Sequence, residues 1–318
     1  MSTHVWMLSS GEPAQAEDVN GYLRAQLQDP FILHAPGIFR ALVVWWISWL
    51  WQRRMVSSYK QLPGPSPVED NLNAQATLLS RHLGKGYSCH PVFRYRAPDA
   101  AQVAAGIGAR DRVILLPMLP HRCGTVSSAV VDANTRLNAR QIKVTSVPSY
   151  PAFIGYVDAV AETVRAAIAD LPLELQTDYE VLFCAHLPPE SRRGIPDDDH
   201  HAEVTRTVAA VTAAVGLVRP HHVGYTSSLV RVRDKDHATR DQLRDLAARQ
   251  VPAAVLVPVD LTCDQVGTVV ALDQDLGALA EESGTLLVRA ETVATRPTFI
   301  RALAALVRQA ERDAEWTS

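Results

Sequence analysis

The chain has 318 residues, of which 47% are hydrophobic and 20% are charged, and its formal net charge is −3. This length exceeds the usual size of a single core and predicts two domains. The small negative charge argues against a nucleic-acid partner, which would require a basic surface. The N-terminus lacks a secretory leader pattern and the four cysteines show no paired spacing. We therefore expect a cytoplasmic protein with reduced thiols, either a monomer or a homodimer.

Apolar runs of four to seven residues alternate with helical patterns along the chain, as is typical of an α/β fold with parallel sheets. The predicted strands include residues 4–9, 114–118, 179–184 and 255–259. The predicted helices cover residues 18–28, 74–83, 152–171, 203–216, 240–250, 272–282 and 298–315.

A tryptophan-rich segment at residues 41–51, ALVVWWISWLW, holds four of the six tryptophans and precedes Arg53 and Arg54. It is too short to span a bilayer, which needs about 20 residues. Three interpretations remain open at this point. The segment could be a buried core helix, the wall of an apolar pocket, or a surface that rests in the interface of a membrane.

The two halves of the chain repeat one another. ILLPM at residues 114–118 matches VLVPV at 255–259, and PAFI at 151–154 matches PTFI at 297–300. The first strand, residues 4–9, likewise matches residues 179–184. The repetition predicts two doubly wound, Rossmann-like domains, each with a parallel four-stranded sheet. We place them at residues 1–146 and 147–318, and we expect the last helix to pack back on the first domain.

Two such domains leave a cleft lined by the C-terminal ends of their strands. The loops after Ser9, Met118, Cys184 and Val259 are expected to converge there. His186 stands at the end of the apolar run in VLFCAHLPPE, just before a proline-containing loop. This position predicts a functional histidine, and the alternative is a strand-end histidine that only bonds a nearby carbonyl.

A series of short motifs runs through nearly the whole chain in a fixed order. The first half contains Ser10-Gly11-Glu12-Pro13, Arg53-Arg54 with Tyr59, Gly64-Pro65-Ser66-Pro67, Phe93-Arg94-Tyr95 and Leu119-Pro120-His121. The second half contains Cys184-Ala185-His186-Leu187-Pro188, Tyr225-Thr226-Ser227, and Val257-Pro258-Val259 leading to Asp264 and Leu272-Asp273. In this order the motifs resemble those of the ferrochelatases, which insert ferrous iron into a porphyrin. The resemblance implies a chelatase-like fold and makes residues 36–54 an apolar lip over the cleft, a surface that contacts substrate and sometimes membrane.

The resemblance also implies roles for individual residues. His186 would accept pyrrole protons and bind the metal, since neutral imidazole does both near neutral pH. Asp264 would be a further metal ligand, and ferrous iron would be the substrate metal, with no other cofactor indicated with certainty. The residues expected to hold the tetrapyrrole are Ser10, Trp45, Arg54, Tyr59, Arg122, Tyr225 and Leu261.

The final motif departs from the family pattern. The family has Asp-His-x-Glu-Thr-x-x-Glu-Leu-Asp, whereas Gln265 replaces the histidine, Gly267 the glutamate paired with His186, and Ala271 the next acid. Loss of a general base typically costs on the order of 10²–10⁴-fold in rate. Three hypotheses follow: a divergent ferrochelatase, an enzyme recruited to another reaction on a non-porphyrin substrate, and a non-catalytic tetrapyrrole or metal carrier.

Two further clusters have residue types that bind metals. Cys123, Cys184 and Cys263 fall at predicted strand ends, where they could join His121 and His186 as a soft site for another transition metal. Small buried thiols packed at strand ends are the alternative. Residues 197–201, DDDHH, are predicted to be a solvated loop before a helix near Glu203, and cation binding is the alternative there.

Overall fold

The computed structural model describes residues 2–33, 37–188, 198–227, 238–314 and 316. Its strands are β1 Thr3–Ser9, β2 Tyr87–Phe93, β3 Arg112–Pro117, β4 Lys143–Ser146, β5 Glu180–His186, β6 His221–Thr226, β7 Ala253–Pro258 and β8 Leu286–Arg289. Its α-helices are α1 Val19–Gln28, α2 Gly37–Lys60, α3 Val68–Leu83, α4 Ala100–Ala104, α5 Gly124–Asn138, α6 Ile154–Ala169, α7 Asp198–Val215, α8 Thr239–Ala248, α9 Gly277–Ser283 and α10 Pro297–Asp313. A π-helical segment, Gly267–Leu276, precedes α9.

The strands form two parallel four-stranded sheets with the same topology, β2-β1-β3-β4 and β6-β5-β7-β8. The predicted α/β fold is therefore confirmed, and the repeated proline runs are the equivalent strands β3 and β7. The predicted match between the first strands is wrong by one residue. Leu8 pairs with Pro117 and Cys184 pairs with Pro258, so Cys184 corresponds to Leu8 and not to Ser9.

Successive side chains along each buried strand point to opposite faces of the sheet, and this alternation divides the core into layers. Val5 and Met7 of β1 join Val181 and Phe183 of β5 in one large cluster that contains residues of both sheets. The intervening residues pack in separate outer clusters beneath other helices, as Trp6 does in the first half. Both faces of each sheet are thus covered, which is the arrangement that continuous apolar β runs favour.

The last helix, α10, packs against elements that flank the first sheet. It lies against α3, where the guanidinium of Arg308 donates to the carbonyl of Leu83 at 3.2 Å. Near its end Glu311 accepts a hydrogen bond from the hydroxyl of Tyr87 in β2. These contacts attach the last helix to α3 and β2 of the first half of the chain.

The tryptophan-rich segment belongs to the long helix α2, and three of its four indole rings face outward, while Trp51 packs against a core cluster. Trp45, Trp46 and Trp49 are 52%, 57% and 47% exposed, whereas Met55 and Tyr59 further along the helix are buried. The interpretation of this segment as a buried core helix is therefore wrong. Among the helices that the structure describes, none combines the length and apolarity needed to cross a bilayer.

Gln75 of α3 ties the loops after β7 and β8 to the first half of the molecule. Its side chain is fully buried, and its amide nitrogen donates to the carbonyls of Thr262 and Ala294, each at 2.9 Å. Gln75→Met fills a similar volume but leaves the carbonyls of Thr262 and Ala294 without that donor. We expect the free energy of unfolding to fall by about 2 kcal/mol, measured by urea denaturation. The exposed Gln28→Met is the matched control, and equal stability of the two variants would contradict this role of Gln75.

Candidate functional site

The loops after β1, β3, β5 and β7 meet around one cavity, as the positions of the strand ends predict. Its volume is about 980 Å³ including the open mouth. Side chains from α1, α2, α3, α5 and α7 complete the wall. The cavity therefore lies at the carboxyl ends of the strands, between the two sheets, where α/β folds bind ligands.

The structure brings some of the predicted site residues together and leaves others outside. The predicted residues that line the cavity are Ser10, His121, Cys123, His186, Leu261 and Cys263. The predicted residues that do not line it are Trp45, Arg54, Tyr59, Arg122, Cys184, Tyr225 and Asp264.

The outlying residues have other contacts. Asp264 pairs with Arg289, the carboxylate and guanidinium being 3.2 Å apart, and Arg122 is an exposed side chain near Glu203. Tyr225 is buried, and its hydroxyl lies 2.9 Å from Nδ1 of His201. Arg54 and Tyr225 line a second pocket, and two further arginines, Arg240 and Arg244, line it as well.

His186 reaches the cavity at the end of β5, and Asp260 holds its backbone. The His186 amide donates to Oδ2 of Asp260 at 2.6 Å, while Oδ1 of this buried carboxylate has no hydrogen-bond partner among the described residues. Burial raises the pKa of Asp260 to about 6 and lowers the pKa of His186 to about 4. His186 is therefore a neutral imidazole at pH 7, with a lone pair available.

His200 lies beside these two residues and belongs to the first turn of α7. Its Nδ1 is 3.1 Å from the carbonyl of Arg122, and its Nε2 is 3.3 Å from the carbonyl of His186. Both ring nitrogens therefore lie at hydrogen-bond distance from a backbone carbonyl. The helix begins at Asp198 rather than near Glu203, so the prediction of a solvated loop is wrong for His200. Asp197, the first residue of that run, lies outside the described residues.

His121 follows β3 and has one nitrogen that its surroundings leave open. Its Nε2 is 2.7 Å from the hydroxyl of Thr207, which itself donates to the carbonyl of Pro151. Thr207 must therefore accept from Nε2–H of His121, and Nδ1 carries the lone pair. That buried Nδ1 has no hydrogen-bond partner among the described residues. Burial lowers the pKa of His121 to about 3, so the ring is neutral.

Glu12 enters the cavity from the loop after β1. Gly11 makes this possible, because its φ of 72° is left-handed and a Cβ there would lie 2.8 Å from Cγ of Arg96. Oε2 of Glu12 accepts from the hydroxyl of Ser66 at 2.7 Å and from the amide of Val266 at 3.0 Å. Burial raises the pKa of the Glu12 carboxyl to about 6.

The cysteines do not assemble into a metal centre with the histidines. Cys184 points to the outer layer, where its sulfur is 3.4 Å from Oγ1 of Thr239 and packs with Leu243. Burial raises the pKa of the Cys184 thiol to about 11 and that of Cys263 further still, which disfavours the thiolate that a metal requires. Within the described ranges, no group of three or more His, Cys, Asp or Glu side chains is arranged to hold a metal ion.

Two acids of this cavity, Glu12 and Asp260, were not predicted from the sequence, and His200 was expected in a solvated loop. Asp260 follows the proline-containing strand β7, whose loop was expected to line the cleft, and this position was a usable signal. His200 sits in a run of charged residues that is typical of surface loops. Glu12 belongs to the motif Ser10-Gly11-Glu12-Pro13. That motif was recognised by its glycine and proline, and no role was predicted for its acid.

Comparisons with known proteins agree with this architecture. A family model described as Ferrochelatase matches residues 2–311. The ferrochelatase of Synechococcus elongatus is 29% identical over 317 residues, which cover 96% of this chain and 81% of that protein. The ferrochelatase of Geobacter metallireducens is 28% identical over 318 residues, covering 97% of this chain and 98% of that protein.

Solved structures of chelatases share the fold at low identity. SirB from Bacillus subtilis with Fe³⁺ aligns with a TM-score of 0.57 and 10% identity, over the whole of both chains. CbiX, the terminal enzyme of sirohaem biosynthesis in denitrifying bacteria, aligns with a TM-score of 0.53 and 12% identity, over 98% of this chain and 99% of that one. At these identities the likeness is one of fold.

Proposed function

This chain belongs to the ferrochelatase family, and we propose that it inserts a divalent metal ion, with ferrous iron as the first candidate, into a tetrapyrrole. The observation that carries the proposal is the cavity itself. Two uncharged imidazoles, His121 and His186, meet the carboxyl groups of Glu12 and Asp260 at the carboxyl ends of both sheets. These are the groups that metal insertion needs: ligands that take the ion from water, and acceptors for the displaced protons.

The proposed reaction exchanges two pyrrole protons for one metal ion. The lone pair of His186 binds the incoming ion or accepts a pyrrole proton, and Asp260 fixes the end of β5 from which His186 projects. Because the buried ring has a low affinity for protons, it returns readily to its neutral form after each transfer. Nδ1 of His121 offers a second nitrogen ligand in the same cavity.

The test is insertion of ferrous iron under anaerobic conditions, followed by the absorbance change of protoporphyrin or coproporphyrin. We expect conversion that scales with protein concentration and exceeds that in a protein-free mixture. Absence of turnover with both porphyrins would refute this assignment. Tight porphyrin binding without insertion would instead favour a tetrapyrrole carrier, the non-catalytic alternative.

A second candidate function is supported by the charge of the cavity. Among the described residues that line it, none is a lysine or an arginine, so no fixed cation there would hold the carboxylates of a porphyrin. This favours a smaller or differently charged substrate at the same site. The second candidate requires that porphyrins fail to bind while a His186→Ala change abolishes another activity of the protein.

We also propose that the exposed face of α2 makes peripheral contact with membranes. Trp45 and Trp49 project outward beside Arg53, whose guanidinium lies 4.8 Å from the centre of the Trp49 ring. Indole rings next to cations suit the headgroup region of a bilayer. The double change Trp45→Ser/Trp49→Ser should reduce co-sedimentation with phosphatidylglycerol vesicles. Leu173→Ser, at an apolar residue that is 83% exposed elsewhere, is the control, and an equal effect of both changes would contradict the proposal.

A further inference from the structure

We infer that Glu12 supplies the carboxylate that the family carries at the position of Gly267, so that the acid opposite His186 now comes from the other half of the molecule. This inference rests on the proposed metal insertion and names a further residue for it. In the reaction, one displaced pyrrole proton passes to the imidazole of His186 and the other to Oε1 of Glu12.

The first support is the way in which the Glu12 carboxylate is held. Both of its hydrogen bonds, from the hydroxyl of Ser66 and the amide of Val266, go to Oε2. No described residue donates to Oε1, although the side chain lines the cavity. One oxygen therefore fixes the orientation of the group, while the other is available to a reacting proton.

The second support is the place where the carboxylate sits. Val266 immediately precedes Gly267 and caps the π-helical segment Gly267–Leu276. Glu12 thus lies against the residue next to the replaced glutamate, where the amino end of a helix favours a negative charge. A Cβ built at Gly267 has no heavy atom within 4 Å and the backbone φ is ordinary, so a side chain at this position fits.

The third support is that no cation neutralises this acid. Among the described residues, Glu12 forms no salt bridge, because Arg96 directs its guanidinium to Glu69 and to the backbone carbonyl of Glu12. An acid of this kind inside a cavity is costly to bury and contributes little to stability. The position of Glu12 in the cavity is therefore better explained by a role in the reaction than by a contribution to stability.

Topology brings the two proton acceptors to the cavity from different sheets. Glu12 follows β1 in the first sheet, and His186 ends β5 in the second. Insertion of one divalent ion releases two protons, so two acceptors that approach from two sheets account for both. The charge is balanced when the macrocycle loses two protons and takes up one divalent cation.

The experiment compares Glu12→Gln with Glu17→Gln, an exposed acid on the same loop. Glu12→Gln keeps the shape of the side chain and acceptors for Ser66 and Val266 but cannot take a proton. We expect kcat for metal insertion to fall on the order of 10²-fold or more, with unchanged porphyrin affinity in a spectral titration. Glu17→Gln should match the wild type in both measurements.

A transplant of the acid provides a gain-of-function test. Glu12→Gly, which removes the whole side chain, should be as defective as Glu12→Gln. Adding Gly267→Glu to Glu12→Gly should raise kcat at least tenfold, because a general base typically contributes more than that. A wild-type kcat in Glu12→Gln, or no recovery in the double variant, would overturn the role of Glu12 but leave the proposed metal insertion standing. A wild-type protein that inserts no metal would overturn the proposed function together with this inference.

Discussion

Replacing His186 by alanine is expected to lower kcat for metal insertion by a factor on the order of 10²–10⁴ while leaving porphyrin affinity nearly unchanged. The imidazole is neutral and lines the cavity, and its backbone is fixed by Asp260. Its loss therefore removes a proton acceptor and metal ligand without disturbing the apolar wall. Initial rates of anaerobic ferrous iron insertion, together with a spectral titration of porphyrin binding, measure both quantities.

The control for this prediction is His82→Ala, because His82 is exposed near the end of α3 and does not line the cavity. It should behave as the wild type in rate and in binding. A His186→Ala variant that retains wild-type kcat would contradict the assignment of His186. A loss of porphyrin affinity without a change in kcat would mean that His186 holds the macrocycle and does not take part in insertion.

Replacing His121 by glutamine is expected to raise the KM for the metal ion by roughly 10–100-fold, the usual cost of perturbing a metal site. Glutamine can still reach Thr207 from the position of Nε2, but it lacks the unpartnered lone pair at Nδ1. His121→Asn is the informative partner, because its side-chain oxygen lies near the position of Nδ1 and should retain part of the affinity. Metal titrations at saturating porphyrin measure this effect.

The porphyrin KM should stay constant in both His121 variants, since the change concerns the ion. An unchanged metal KM in His121→Gln would show that the open nitrogen does not receive the metal. Equal losses in the Gln and Asn variants would indicate that His121 supports the shape of the cavity rather than the ion.

The fold could be predicted because its signals are local and repeated. The proline-containing β runs became β3 and β7, and the PAFI and PTFI segments lie at the starts of α6 and α10. Helix α5, which begins at Gly124, was not predicted. Its small residues give a weak periodic signal, and only the tertiary structure shows which face is buried.

The match between the first strands of the two halves was predicted with an error of one residue. Aligning Ser9 with Cys184 instead of Leu8 shifts the strand by one residue, and a shift of one reverses the face to which each side chain points. Ser9 lines the cavity, whereas Cys184, the counterpart of Leu8, packs in an outer cluster. The expectation that Cys184 faces the cleft depended on this residue-level detail, which the motif alone did not fix.

Only part of the site could be predicted, because some of its residues are marked by local signals and others are brought in by long-range contacts. His186 stands at a strand end, which is a local signal, but the contact of Glu12 with Val266 joins residues at opposite ends of the chain. Likewise, His200 becomes a buried group only because α7 starts early and its first turn packs against the carbonyls of Arg122 and His186. Such long-range contacts determine which polar residues surround the cavity, and no spacing in the sequence encodes them.

The most direct measurement is a crystal structure of the protein with a porphyrin bound. The macrocycle is predicted to lie in the cavity between the sheets, with His186 on one side and Glu12 on the other. A porphyrin found instead on the tryptophan face of α2, or in the pocket lined by Arg54 and Arg240, would contradict the central claim that metal insertion takes place between the two sheets.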